Sequence, residues 1–167
     1  DFVKVDDILA PGYHEKEIEM IRNAIDNCGR PIVLSLSPGE APVDKSEHLS
    51  DNANMWRISA DFWDEWDKLV HNFDLLNYWS SSVNTGTWPD ADMLQLGWIS
   101  RRGPEGPERE CRFTEDEQMT HMFLWCIVQS PLMMGGDMPD NNKFVEKLMT
   151  NEEVLAANQK AINPRQL

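Results

Sequence analysis

The sequence predicts an α/β protein of the (β/α)8 TIM-barrel type, and three observations carry that prediction. Strand-like apolar runs alternate with amphipathic helical ones five times along 167 residues. The mean unit is about 33 residues, near the roughly 31 per unit of an eight-unit barrel. Carboxylates gather just after the strands, at Asp6, Asp61, Asp92 and Asp137, and the C-terminal strand ends form the catalytic face of such a barrel. A dinucleotide-binding α/β fold lacks support, because no Gly-rich phosphate fingerprint follows a strand. Five units leave two sheet edges open. The expectation is therefore one partial-barrel domain over residues 1–167, the C-terminal five units, completed by three missing N-terminal units or by a second copy. A chain opening on Asp1 rather than Met fits the same expectation.

Composition narrows the function classes. Hydrophobic content of 41% and seven Trp suit a chain that builds a core. A formal charge of −14 argues against nucleic acid and anionic membrane surfaces as partners. Arg101-Arg102 is the one paired basic site. No apolar run is long enough to cross a bilayer. Three cysteines (Cys28, Cys111 and Cys126) make neither a zinc pattern nor a disulfide framework. Cys126, inside Met122 to Val128, reads as a small buried hydrophobe. His14, His48, His71 and His121 have no metal-ligand spacing and read as surface or helix residues. No cofactor or metal is expected.

Taken in order, Phe2, Val3 and Val5 are β-formers in a first strand that ends at Asp6. Lys4 and Asp6, two apart, project from one face. Ala10-Pro11-Gly12 is a turn signal, and Ile18, Ile21, Ala24 and Ile25 give a helix over Glu15–Asn27, stopped at Cys28-Gly29. Pro31 to Leu36 is a buried strand, Ser37 to Asn54 a polar loop, and Met55 to Ser59 a third strand leading to Asp61. A helix is expected from Phe62 toward Phe73, with Trp66, Leu69, Val70 and Phe73 as its apolar stripe. Tyr78 to Asp92 reads as loop, Met93 to Leu96 as the fourth strand, and Arg101 to Arg112 as an exposed loop. Thr114 with Glu117 forms a capping box for a helix to about Gln129. Pro131 to Met134 is the fifth strand, emptying into Gly135-Gly136-Asp137. Helical stretches from Asn142 and over Glu152 to Ala157 close the chain.

Five stretches, in order, resemble glycoside hydrolase family 27, the melibiase-like α-galactosidases and α-N-acetylgalactosaminidases. Asp1-Phe2-Val3-Lys4-Val5-Asp6 resembles the family's fourth strand, and Trp56-Arg57-Ile58-Ser59-Ala60-Asp61 its sixth. Trp88-Pro89-Asp90-Ala91-Asp92-Met93-Leu94 is similar to the family's Trp-Asn-Asp-Pro-Asp-Met-Leu. Pro131 to Asp137 resembles the eighth-strand exit, and Asn151 to Val154 with Asn158-Gln159 the last barrel helix. The resemblance implies a chain supplying about strands 4 to 8 of the barrel. It implies Asp6 as nucleophile, Asp61 as acid/base, and a retaining double displacement at a terminal galactose-like sugar. The two carboxyl groups of a retaining enzyme stand about 5–5.5 Å apart. Lys4 beside Asp6 would favour its ionised form, and an apolar wall with Trp56 or Trp63 would favour protonated Asp61.

On the same resemblance Lys4, Arg57, Ser37, Trp88, Asp92 and Met93 bind substrate. Arg57 holds a ring hydroxyl; from the residues themselves, Trp88 in a loop beside Asp90 and Asp92 is expected to stack on the sugar, and Asp137 after Gly135-Gly136 to line the pocket. Trp66 and Trp125 are expected in the core. Ser37 stands where the family's α-galactosidases carry a sugar-recognising Glu, and Asp7 and Ile8 stand where a cysteine often follows the nucleophile. A β-L-arabinopyranoside, the same ring without its exocyclic CH2OH, is the alternative substrate. A secreted, periplasmic or lysosomal setting is implied by the family. Three other classes stay open: a non-catalytic carbohydrate-binding barrel, a metal hydrolase on Asp6, Asp7, Asp90 and Asp92, and an acidic interaction module.

Overall fold

The computed structural model describes residues 1–9, 11–37 and 39–162. Four short strands, β1 (Phe2–Val5), β2 (Val33–Leu36), β3 (Met55–Arg57) and β4 (Trp88–Asp90), form one sheet in sequence order. Every pairing is parallel. The crossovers carry α1 (Glu15–Asn27), α2 (Ser46–Asn52) and α3 (Trp66–Trp79). The fold is thus α/β with a parallel sheet, as the alternating runs predict. Among the described residues, β1 and β4 are its two edges.

The register sorts the side chains. Phe2 stands beside Val33, Lys4 beside Ser35, Ser35 beside Met55, Met55 beside Trp88, and Arg57 beside Asp90. Alternation puts this set on one face and Leu34, Leu36 and Trp56 on the other. The second face is the packed one. Leu34, Leu36 and Trp56 are fully buried in one cluster with Ile18 of α1, Leu49 of α2, and Leu69 and Trp79 of α3. Each such aliphatic side chain contributes about 1.5–3 kcal/mol by leaving water. Trp56 and Trp79 meet with ring centroids 5.8 Å apart. Phe2 and Val33, on the first face, stay 50% and 39% exposed, so among the described residues nothing covers the lower part of that face.

The remaining elements are β5 (Trp98–Ile99), β6 (Arg109–Glu110), α4 (Glu115–Ile127), α5 (Lys143–Met149) and α6 (Glu152–Lys160). The capping box at α4 forms as expected: Thr114 Oγ1 accepts the Glu117 N–H while the Glu117 carboxylate accepts the Thr114 N–H. Asn142 and Asn151 cap α5 and α6 in the same way from one side. The helix expected over Glu15–Asn27 has those ends, and Gly29 beyond it takes φ +72°. In the turn expected at Ala10 to Gly12, Ala10 lies outside the described residues, while Gly12 takes φ +87°.

Several expectations need correction. The fourth strand is Trp88–Asp90, inside the expected loop, rather than Met93 to Leu96. Proline is tolerated there because the Trp88 N–H bonds to Asn54 O and Asp90 O accepts the Ile58 N–H. Alternation turns the Pro89 nitrogen away from β3, so no ladder bond is lost. Met93 to Leu96 and Pro131 to Met134 instead meet through a single parallel bridge, Leu94 to Met134. The polar loop Ser37 to Asn54 contains α2, which docks by fully buried Leu49. Helix α3 begins four residues late, at Trp66, and its buried stripe is Leu69, Asn72, Leu75, Leu76 and Trp79. Trp66, Val70 and Phe73 face outward; Trp66 is 45% exposed, whereas Trp125 is fully buried as expected.

The expected Arg101–Arg112 loop is the tip of the antiparallel β5–β6 hairpin. His121 is a core residue, packed among the rings of Phe62, Phe113 and Trp125. Burial lowers its pKa to about 3, so it is neutral. Cys126 is buried and free, its thiol pushed up to about 11 by burial. Among the described residues no helix is long and apolar enough to cross a membrane.

Candidate active site

Where the strands end, the chain opens a cleft of about 660 Å³. Of the eight residues expected to carry catalysis or bind substrate, seven line it: Lys4, Asp6, Ser37, Arg57, Asp61, Asp92 and Met93. They come from four consecutive units, which is what a parallel sheet achieves by presenting all its C-terminal ends on one side. Trp88 is not brought to the cleft. It starts β4 on the same sheet face but near the opposite end, in a separate cleft with Val33, Met55 and Pro131. A strand rises about 3.3 Å per residue, which sets Trp88 apart from Asp92. Its expected place in a loop beside the sugar is therefore corrected.

The cleft has a fixed floor. The Arg57 side chain is 3% exposed and that of Asp92 4%, and their Nη1 and Oδ1 atoms lie 3.0 Å apart. Arg57 Nη2 donates to Asp61 Oδ1 at 3.2 Å and to the Ser59 carbonyl at 3.1 Å. Asp92 is held four ways. Its Oδ2 accepts the Phe62 N–H at 2.8 Å, and its carbonyl accepts the Trp125 indole N–H at 2.9 Å. Its own N–H donates to Asp90 Oδ1 at 2.9 Å, and Arg57 completes the set. These contacts hold its backbone at φ +78°, a left-handed value that Asp tolerates better than most residues. Burial raises the pKa of Asp92, with Arg57 pulling the other way. Burial also pushes Asp90, beside Arg57 in the register, up to about 6.

Above this floor the groups are exposed. The Asp61 side chain is 71% exposed, tethered only on its Arg57 side. The apolar wall expected against Asp61 is absent among the described residues: Trp56 is fully buried on the far face of the sheet, and Trp63 alone lines the cleft. Lys4 and Asp6 both line it and are solvent-facing, with no ion pair between them among the described residues. Arg57 is engaged by two carboxylates and a carbonyl, so its first effect is to orient Asp61. Asp137 is not on the lining; it pairs with Arg101 at 2.9 Å.

The sequence reading missed the wall made by the β5–β6 hairpin. Ser100, Arg101, Arg102 and Pro104 line the cleft together with Asp7, Trp63 and Gly135. The signal was present in Trp98-Ile99, two β-formers, and in Gly103 and Gly106, which take φ +67° and +71° at the tip. Gly135 is needed for a second reason: a Cβ there would stand 2.9 Å from Met93 Cβ. The hairpin is anchored by Asp64, whose side chain is 0% exposed. It accepts from Arg109 Nη2 at 2.6 Å and from the Arg112 N–H at 2.8 Å.

Among the described residues, one group of metal-ligating types converges, and it is outside the cleft. The Glu15, Glu19 and His48 ligand atoms lie within 4.8 Å of one another. The Tyr13 hydroxyl meets His48 Nδ1 at 2.6 Å, and Lys45 pairs with Glu15 at 3.3 Å. This is a polar network tying α1 to α2, and it places His48 in a context that residue spacing did not reveal.

Comparison with known proteins gives a consistent family. A GH27 β-L-arabinopyranosidase from Geobacillus stearothermophilus is 55% identical, with a TM-score of 0.91 over 95% of this chain and 38% of its own. A variant of that enzyme has been solved in complex with arabinose. Alpha-galactosidase 2 of Arabidopsis thaliana is 29% identical over 160 residues. Alpha-N-acetylgalactosaminidase of Gallus gallus is 26% identical over 172 residues. The chain spans 37% of the length of the first of these curated relatives and 39% of the second. The sequence model described as alpha galactosidase A (Melibiase_2) matches residues 1–160, and the chain belongs to that family of glycoside hydrolases.

Proposed function

We propose that this chain is the catalytic-face half of a retaining exo-glycosidase, supplying about strands 4 to 8 of a (β/α)8 barrel as one domain over residues 1–167. The observation that carries the reading is the meeting of Asp6 and Asp61 in one cleft at the C-terminal strand ends. The partial barrel is supported by the two sheet edges, by the uncovered Phe2 and Val33, and by the fraction of each relative that the chain spans. The missing N-terminal units, rather than a second copy, are the natural cover for that face.

Asp6 attacks the anomeric carbon to form a glycosyl ester. Asp61 protonates the departing oxygen and then takes the proton of the incoming water. A general acid needs surroundings that favour its protonated form; with Asp61 this exposed, those surroundings come from the units that complete the barrel. Arg57 and Asp92 hold the Asp61 side of the site, while Lys4, Ser37 and Met93 shape the sugar pocket. The sugar is galactose-configured, and we take a β-L-arabinopyranoside as the substrate, because the arabinopyranosidase is 55% identical to this chain over the aligned stretch, which is 38% of that enzyme. An α-galactoside is the second reading, favoured by the family model and its curated relatives.

The test is turnover by the intact protein of aryl β-L-arabinopyranoside, α-galactoside and α-N-acetylgalactosaminide, alongside its Asp6→Asn variant. Turnover of the arabinopyranoside with retained anomeric configuration, lost by at least about a thousandfold in the variant, is expected. Preference for the galactoside would select the second reading. A variant as active as its parent would remove Asp6 as nucleophile.

A further inference from the structure

The β5–β6 hairpin places two guanidinium groups, Arg101 and Arg102, on the lining of the cleft. At its base Asp64 is buried against Arg109 and the Arg112 backbone. At its tip Ser100, at φ +59°, clasps the turn: its hydroxyl donates to the Glu105 and Gly106 carbonyls and accepts the Glu105 N–H. Arg101 ties the tip to the segment after the Leu94–Met134 bridge through Asp137 and Asp140, with Glu108 3.9 Å away. Its neighbour Arg102 also lines the cleft, yet among the described residues it pairs with no carboxylate. Every other arginine among the described residues pairs with a carboxylate, so in a chain with 29 acidic and 15 basic residues the unpaired guanidinium of Arg102 is the exception. A guanidinium is a planar fork that matches a carboxylate in two parallel hydrogen bonds.

We propose that the hairpin tip forms the leaving-group side of the cleft and that Arg102 there receives a carboxylate, so that the sugar is released from an acidic partner such as a uronate. The inference rests on the glycosidase reading for its direction. The sugar ring itself is neutral and lies toward Lys4 and Asp6; a charge on the substrate must therefore be on the leaving group. The overall negative field of the chain repels an anion at long range, which makes a local cation at the mouth necessary for such a substrate.

The experiment compares two substrates differing only in charge: a β-L-arabinopyranosyl uronate and its methyl ester. With the intact protein, kcat/KM for the acid should exceed that for the ester by roughly five- to tenfold. The ratio should fall toward one in Arg102→Gln and shrink as salt rises. A ratio at or below one in the parent, or one unchanged by Arg102→Gln, overturns the proposal. Calorimetric binding of the same pair to the Asp6→Asn variant reads the preference without turnover. If aryl glycosides are not cleaved at all, the glycosidase reading falls, whereas equal binding of acid and ester, or binding of neither, overturns the role of Arg102.

Discussion

The Arg57–Asp92 pair is the part of the site whose energetics follow most directly from geometry. Both side chains are at most 4% exposed, and the ions lie 3.0 Å apart. Removing one member of a buried pair costs about 3–5 kcal/mol, because it strands the other charge. Arg57→Met leaves the Asp92 carboxylate with the Phe62 N–H alone and falls in that range. Asp92→Asn keeps the shape and tolerates φ +78°, but it supplies one acceptor where two donors, Arg57 and Phe62, converge. Hydrogen bonds to charged groups contribute about 1.5–3 kcal/mol each, so a loss of about 2–4 kcal/mol is expected.

The double variant distinguishes this account from two independent defects. When Arg57→Met and Asp92→Asn are combined, the introduced amide oxygen still accepts the Phe62 N–H and neither charge of the pair is left buried. The double variant should then be less damaged than the sum of the singles by about 2 kcal/mol, within the range of contacting residues. Urea unfolding of the intact protein, followed by tryptophan fluorescence, measures all four corners; Trp56 and Trp125 are fully buried reporters. Additivity within about 0.5 kcal/mol, or either single variant within about 1 kcal/mol of the parent, would refute the reasoning.

Two further predictions concern Asp90, in the floor of the cleft, and Gly136, packed against Leu96. Burial raises the pKa of Asp90 from 3.8 to about 6, so the folded protein holds that proton more tightly than the unfolded chain. Its contribution to stability is complete below about pH 4 and is lost as the pH rises through about 6. Asp90→Asn keeps an acceptor for the Asp92 N–H, and should abolish a fall of about 3 kcal/mol over that window, read as Tm against pH; parallel curves for parent and variant would count against it. At Gly136 an added Cβ would fall inside van der Waals contact of the Leu96 carbonyl oxygen. Gly136→Ala should therefore cost about 3 kcal/mol through overpacking, and a variant with unchanged Tm would show that the Leu94–Met134 contact is looser than it looks.

The sequence displayed the fold wherever burial leaves a periodic trace. Ile18 and Ile25 face the sheet from α1, and the run ending in Leu36 is packed on its outer side. The reading failed where one burial signal competed with another. Trp88-Pro89-Asp90 looks unlike a strand because its inner face carries a carboxylate and its middle residue has no N–H, yet both are permitted by the side they point to. Helix α2 was hidden because one side chain, Leu49, docks it. Trp66 looked like core because it begins an apolar period, but at the first residue of α3 it sits beyond the packed stripe.

The cleft was legible for a different reason. Lys4, Asp6, Ser37, Arg57 and Asp61 are polar groups placed where β-forming runs stop, and such residues cannot be explained by packing. What a linear reading cannot supply is which of them neutralise each other. Three groups, Asp90, Asp92 and Arg57, are tied to one another and to backbone in the buried floor of the cleft. Asp6, Asp61, Lys4 and Arg102 remain on its rim, open to solvent. A buried, mutually paired lower layer under an open upper one is the arrangement by which a site holds its charges in place before substrate arrives. Among the described residues the link between the layers is Arg57 Nη2, which binds Asp61 Oδ1 and the Ser59 carbonyl. On the roles proposed above, its loss should therefore disturb the step assigned to Asp61 more than the step assigned to Asp6, because only the former is tethered through it.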